Sequence, residues 1–156
     1  MKRTTILSAV LLTSLVFMSC EDDKDEFSGI LEVTVIFDDA EKGSDDMIMA
    51  FLWKGSSFTS AKDAGTVDSY MFSFGTDTVI TQTASIQFED LSEGSYYCGI
   101  FESHDMMYDD HAEVMGYYCA DSTNTTGSAN PTAITLDSDN EHQTISLTIT
   151  HHGDHQ

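Results

Sequence analysis

The chain has 156 residues, of which 27 are acidic and 6 are Lys or Arg, and its formal charge is −21 at pH 7. This length is sufficient for one domain with a modest core after an N-terminal leader. Phosphate binding needs Lys and Arg, so the charge excludes nucleic acid as a partner. An anionic membrane surface would likewise repel the domain, which leaves lipid as the means of anchoring.

The N-terminal segment has the three parts of a secretory signal. Lys2 and Arg3 make it basic, and the apolar stretch 6–18 is shorter than the roughly 20 residues of a membrane-spanning helix. The end of this stretch resembles a lipobox, in which a small residue, here Ser19, precedes a lipidated cysteine, here Cys20. The resemblance implies a signal peptide at 1–19 and a palmitate-bearing anchor at Cys20. The alternative is an ordinary secretory signal with a chance cysteine.

Residues 20–28 form an acidic tether between the expected anchor and the domain. Lys24, Asp25 and Glu26 resemble the signal that sorts lipoproteins to the outer face of the outer membrane in Bacteroidota. This resemblance implies display on the cell exterior, whereas the alternative is a merely solvated linker.

The rest of the chain, residues 29–150, has β patterning. Leu31, Val33, Val35 and Phe37 alternate with other side chains, and this period of two indicates a strand with one apolar face. Further strand-like segments are 47–53, 69–74, 78–81, 84–88, 95–102, 114–119, 132–136 and 143–150. No helical period is sustained. We therefore expect an all-β domain, an antiparallel sandwich of seven or eight strands.

A corner motif in the second half of this domain refines the expectation. Phe88, Leu91, Gly94 and Tyr96 resemble the F-x-x-L-x-x-G-x-Y corner of prealbumin-like (transthyretin-like, Ig-like) sandwiches. In this interpretation Phe88 lies in the core at the end of one strand, and Leu91 packs beneath the turn. Tyr96 points into the core at the start of the next strand. Gly94 supplies a backbone angle that other residues disfavour.

The wider resemblance is to an uncharacterised bacterial family of this fold. It covers about residues 29–150, and its specific part is 86–118. On the strand after the corner, Cys98 and Ile100 are expected on the face of Tyr96, and Tyr97, Gly99 and Phe101 on the other. Such corners are structural, so the resemblance implies a fold rather than an activity.

Two cysteines, Cys98 and Cys119, remain if Cys20 carries lipid. In an oxidising compartment they are a candidate disulfide. Two free thiols are the alternative, since unpaired cysteine is commonly buried.

The loop 104–113 is the richest site candidate in the sequence. It occupies the place of a loop that looks like a calcium site in many members of the family, and carboxylates are the ligands that calcium prefers. The candidate ligands are Asp105, Asp109, Asp110, Glu113, His104 and His111. The two histidines would suit zinc or copper instead. An acidic, solvated loop without an ion is the third alternative. The His-rich tail, 151–156, would bind metal weakly or fray.

No spacing typical of a catalytic site occurs in the chain, so we do not expect an enzyme. A Gly-x-Ser-x-Gly elbow, a His-Glu-x-x-His motif and a glycine-rich phosphate loop are all absent from the sequence. The expected role is non-catalytic binding or envelope assembly, with Tyr70, Tyr108 and Tyr117 as candidate contacts to a glycan or an envelope protein. Divalent-cation binding by the loop 104–113 is the alternative function.

Overall fold

The computed structural model describes residues 27–43, 45–103, 112–120 and 131–150. Within these residues the chain forms eight strands and one short helix. The elements are β1 (Gly29–Glu41), β2 (Met47–Lys54), α1 (Phe58–Ala64), β3 (Thr66–Phe72), β4 (Val79–Leu91), β5 (Gly94–Ser103), β6 (Glu113–Tyr117), β7 (Ile134–Leu136) and β8 (His142–Thr150). The prediction of an all-β sandwich is confirmed.

The strands form two sheets. A three-stranded sheet has the order β4-β1-β8, and a five-stranded sheet has the order β3-β2-β5-β6, with β7 pairing the first residues of β5. All pairs are antiparallel except β1 and β8, which run parallel. The parallel pair was not expected from the sequence. β8 follows β7 of the other sheet, so no hairpin connects β8 to β1 and the antiparallel direction is not imposed.

The main core lies between the sheets and follows the period of two. Leu31, Val33, Val35 and Phe37 of β1 are buried, whereas Thr34 is half-buried and Ile36 is exposed. The facing sheet contributes alternate residues of β2 and β5 to the same core, namely Ile48, Ala50, Leu52, Tyr96, Cys98 and Ile100. The predicted assignment of Tyr96, Cys98 and Ile100 to one face of β5 is confirmed.

A second apolar layer covers the outer face of the five-stranded sheet. It contains Met49, Phe51, Trp53, Ala61, Tyr97 and Phe101. Because both faces of β2 and β5 are covered, almost every central position of these strands is apolar, and their sequences contain continuous apolar runs. The layer is closed in part by α1, which contributes Ala61 and the adjoining Phe58.

Helix α1 is a correction, because the sequence predicts no helix. It is only seven residues long, too short to show a helical period. Its start is fixed by a capping box, in which Ser57 and Ser60 each accept a hydrogen bond from the other's backbone N–H. Gly55 lets the helix approach the end of β2, since a Cβ there would lie 2.7 Å from the Ala61 backbone.

Strand β4 is also longer than predicted. The two separate segments 78–81 and 84–88 belong to one strand, Val79–Leu91. Gln82 and Thr83 are polar and exposed, which interrupts the apolar pattern, but both pair with β1. Pairing with a neighbour keeps the backbone extended there despite the polar side chains.

The registers define two ends of the sandwich. At the near end, where Gly29 follows the tether, β1 begins beside Leu91 and His142. At the far end, Glu41 pairs with Val79, and the turn after β1 leads to β2 beside Ser103. The far end is therefore where β5 ends, at Ser103, and where β6 begins, at Glu113. In the part of the chain described here, no helix has the length and apolar character to cross a bilayer.

Candidate functional site

Only one of the six predicted metal ligands, Glu113, lies within the described residues. Its side chain is exposed at the first position of β6. The other five, His104, Asp105, Asp109, Asp110 and His111, lie outside the described residues, so the metal prediction stays a prediction. Within residues 27–43, 45–103, 112–120 and 131–150, no group of three or more His, Cys, Asp and Glu side chains forms a cluster that would hold a metal ion.

A buried polar cluster lies next to Glu113 at the far end. Glu102, only 3% exposed, is the cross-strand partner of Glu113. The Gly43 backbone N–H donates to Oε1 of Glu102 at 2.5 Å, and Nζ of Lys42 donates to the Gly43 carbonyl at 2.9 Å. Lys42 is itself only 4% exposed. The turn after β1 therefore holds two buried charged side chains, Lys42 and Glu102, each bonded to the backbone of Gly43.

A shallow hollow opens beside this cluster. Its walls come from the turn after β1, from the start of β2 and from the end of β3, and they include Lys42, Asp46, Met47, Met71 and Phe74. The hollow therefore combines apolar walls with one positive and one negative side chain. Such a lining suits part of a polypeptide better than a strongly anionic small molecule.

The three tyrosines predicted as contact residues have different outcomes. Tyr70 on β3 is exposed, and its ring meets the Phe72 ring edge-on. Tyr117 is half-buried in the second layer, where its ring lies 4.9 Å from that of Phe58. Helix α1 covers part of that face, and the role of Tyr117 as a contact stays a prediction. Tyr108 lies outside the described residues.

Exposed apolar side chains concentrate on one strand. In the described segments, the large exposed hydrophobic residues are Ile36, Val67, Tyr70, Met71 and Val79. Three of these five belong to β3, an edge strand whose residues are all exposed except Phe72. The sequence identified Tyr70 as a candidate contact but not the rest of this surface, because a strand pattern looks the same at a sheet edge as at its centre.

The backbone of β3 has a hydrogen bond that marks its open side. The Ser69 N–H donates to Oδ1 of Asp68 at 2.7 Å. A backbone amide that bonds a side chain of its own strand points away from β2. Among the described residues, the outer side of β3 is therefore an open sheet edge, and one of its donors is occupied by Asp68.

The two remaining cysteines, Cys98 buried and Cys119 half-buried, are not joined to each other in the structure. The Tyr118 N–H donates to the Cys98 carbonyl, and the Tyr118 ring packs on the core face that Cys98 shares. The candidate disulfide between Cys98 and Cys119 stays a prediction. Burial also raises the pKa of Cys98 to about 12, so the thiol keeps its proton.

Several predicted features have no structural description. Cys20, the signal peptide 1–19, most of the tether and the His-rich tail 151–156 lie outside the described residues. Lipidation and surface display accordingly stay predictions. Comparison with family models, with curated proteins and with solved structures finds no match to this chain.

Proposed function

We propose that this chain is a lipid-anchored β-sandwich with a non-catalytic role in binding or envelope assembly at the cell exterior. Lipid on Cys20 would hold the domain, and residues 20–28 would span about 30 Å when fully extended. The near end of the sandwich would then face the membrane. The far end and the long sides, including β3, would be available to partners.

The observation that supports this role is the concentration of exposed apolar side chains on β3. A sheet edge with apolar side chains invites pairing, and most soluble proteins protect such edges with Lys, Pro or a covering element. Strand β3 has neither Lys nor Pro. Met71 and Tyr70 lie on opposite faces of the sheet, so an element that docks on this edge would contact apolar side chains on both faces.

The burial of Cys98 is consistent with a non-catalytic role. Only the thiolate is a nucleophile, and the raised pKa of this thiol keeps it protonated at neutral pH. Its side chain is also fully enclosed in the main core, beyond the reach of a substrate.

The anchor is tested by metabolic labelling in a Bacteroidota host. The full-length chain is expected to incorporate labelled palmitate, and protease added to intact cells is expected to remove the domain. Cys20→Ser is the matched control and is expected to lose the label. A labelled chain that resists protease on intact cells but not in lysed cells would contradict surface display.

The binding role is tested by crosslinking on intact cells together with a glycan array. We expect a specific envelope protein or glycan that binds the wild type and is lost with Met71→Ser. Ile36→Ser is the matched control, because Ile36 is an exposed apolar residue on the other sheet. If neither method finds a ligand, the binding role is wrong.

Cation binding is the second candidate, and it is supported by the pairing of Glu102 with Glu113. Two carboxylates that lie opposite each other in a sheet offer oxygen ligands of the kind that calcium prefers. We expect calcium or zinc to raise the melting temperature of the chain, and Glu113→Gln or Asp105→Ala with Asp109→Ala to reduce the rise. Glu89→Gln, an exposed acid on β4, is the control. An unchanged melting temperature would exclude this candidate.

A further inference from the structure

Strand β3 presents a regular open edge over five residues. Its pairing with β2 is regular from Phe72, opposite Ile48, to Asp68, opposite Leu52. The register shifts between Leu52 and Trp53, which disturbs the strand on the other side of Asp68. The part of the edge that another strand could extend is therefore residues 68–72.

The direction of the backbone groups follows from the Ser69 hydrogen bond. Because the Ser69 N–H bonds Asp68 Oδ1, it does not pair with β2. Backbone groups alternate in direction along a strand, so those of Met71 also point outward, whereas those of Tyr70 face β2. A strand added to this edge would pair with Ser69 and Met71.

The side chains along this edge could hold such a strand. Met71 is 43% exposed and Tyr70 is 46% exposed, and they lie on opposite faces of the sheet. Each would contact alternate side chains of an added strand. The hollow beside Met71 and Phe74 offers space for a further side chain at one end of the edge.

We propose that residues 68–72 of β3 form a strand-addition site for an extended, basic segment of another polypeptide. Main-chain hydrogen bonds provide the affinity in this kind of recognition, and alternate side chains provide the specificity. The inference rests on the proposed binding function and names the chemistry of its partner.

The preference for a basic strand follows from Asp68. An added strand must supply the carbonyl that accepts from the Ser69 N–H, and this displaces the Asp68 carboxylate. The released carboxylate is then paired best by a Lys or Arg of the added strand. The formal charge of −21 attracts a basic segment and repels a second copy of this chain. Asp68 thus protects the edge against self-association while it favours a partner of opposite charge.

The test uses two synthetic heptapeptides of alternating sequence, one of Lys and Val and a matched one of Glu and Val. The full-length chain in detergent, at about 0.15 M salt to screen long-range attraction, is expected to bind the Lys peptide and not the Glu peptide. Ser69→Pro removes the outward N–H without removing charge, and is expected to weaken binding about tenfold. Asp68→Asn is expected to reduce the preference for the Lys peptide.

Ser69→Pro should leave the fold intact, because proline is tolerated at an edge where its missing N–H faces solvent. Its melting curve and the fluorescence of Trp53 check this. If the variant does not fold, Met71→Lys provides the second test and is expected to weaken binding of the Lys peptide.

Three results would overturn the proposal. The first is no binding of the Lys peptide, and the second is binding that Ser69→Pro and Met71→Lys leave unchanged, which indicates charge attraction alone. The third is a disulfide-linked dimer of Ser69→Cys that the parent chain does not form, which identifies a second copy as the occupant. If the peptide does not bind but an envelope ligand still binds in a way that depends on Met71, only the strand-addition proposal is wrong. If neither the peptide nor an envelope ligand binds, the proposed binding function is wrong as well.

Discussion

Tyr96 is the residue that connects the corner motif to the stability of the sandwich. Its ring is buried in the main core, and its hydroxyl donates to the Ser92 carbonyl at 2.6 Å across the turn between β4 and β5. The same arrangement of a tyrosine that bonds the backbone upstream occurs in Ig-like sandwiches. Gly94, with φ of +153°, allows the turn, and a Cβ there would lie 2.4 Å from Cε of Lys54.

We expect Tyr96→Phe to lower the free energy of unfolding by about 1 kcal/mol, because it removes one part-buried hydrogen bond and leaves the ring in place. Urea denaturation measures the change. Tyr70→Phe, in which the altered ring is exposed, is the control and should have little effect. Equal stability of the two variants would show that the hydroxyl contributes nothing.

Cys98 makes the stability of the fold sensitive to alkaline pH. Burial raises the pKa of this thiol from 9.0 to about 12 in the folded chain. Above pH 9 the unfolded chain loses the thiol proton while the folded chain keeps it, so the free energy of unfolding should fall as pH rises from 9 toward 12. Comparison with Cys98→Ala isolates this effect, because the remaining titrations are common to both chains.

Thiol labelling provides a separate prediction. In the native state Cys98 is expected to be protected from a thiol reagent because it is fully buried, and it should react after unfolding. If Cys98 reacts after unfolding only when a reductant is also present, the result would show that it forms a disulfide.

At the scale of elements, the position of α1 depends on the close approach of Gly55 to the backbone of Ala61. The helix covers part of the second layer, where Trp53 has no exposure and its ring lies 6.2 Å from that of Phe58. The short helix has few turns of its own, so its stability depends on the Ser57 cap and on packing. Gly55 makes this packing possible.

We expect Gly55→Ala to displace α1, because the new Cβ would meet the Ala61 backbone, which cannot give way as a side chain would. Trp53 is the only tryptophan of the chain, so its fluorescence should shift to the red as the layer opens. Gly75→Ala is the matched control, since no atom lies within 4 Å of a Cβ there, although its φ of +61° adds local strain. An unshifted spectrum in Gly55→Ala would contradict this account of α1.

For the whole molecule, the excess of acidic side chains opposes folding. A formal charge of −21 produces repulsion in the compact state that added salt screens. We expect sodium chloride to raise the melting temperature gradually between about 10 and 150 mM. Calcium or zinc at matched ionic strength should exceed this rise only if a cation site exists, which separates screening from binding.

The local pattern of the sequence determined most of the fold. Alternation in β1, the continuous apolar runs of β2 and β5, and the corner from Phe88 to Tyr96 all predicted the observed strands and faces. These features are readable because burial on one face, or on both, requires particular residue types at each position. The charge likewise predicts which partners the surface would attract, and this stays a prediction.

Only the tertiary structure decided which strands are edges, which faces are covered and which side chains meet at each end. Tyr70 and Tyr117 look equivalent in sequence, yet α1 covers one and the open edge of β3 exposes the other. Asp68 indicates a binding edge only because the amide of its neighbour Ser69 points away from β2 and bonds its carboxylate. Such properties depend on the order of strands in a sheet, and long-range pairing leaves no local pattern that would reveal it.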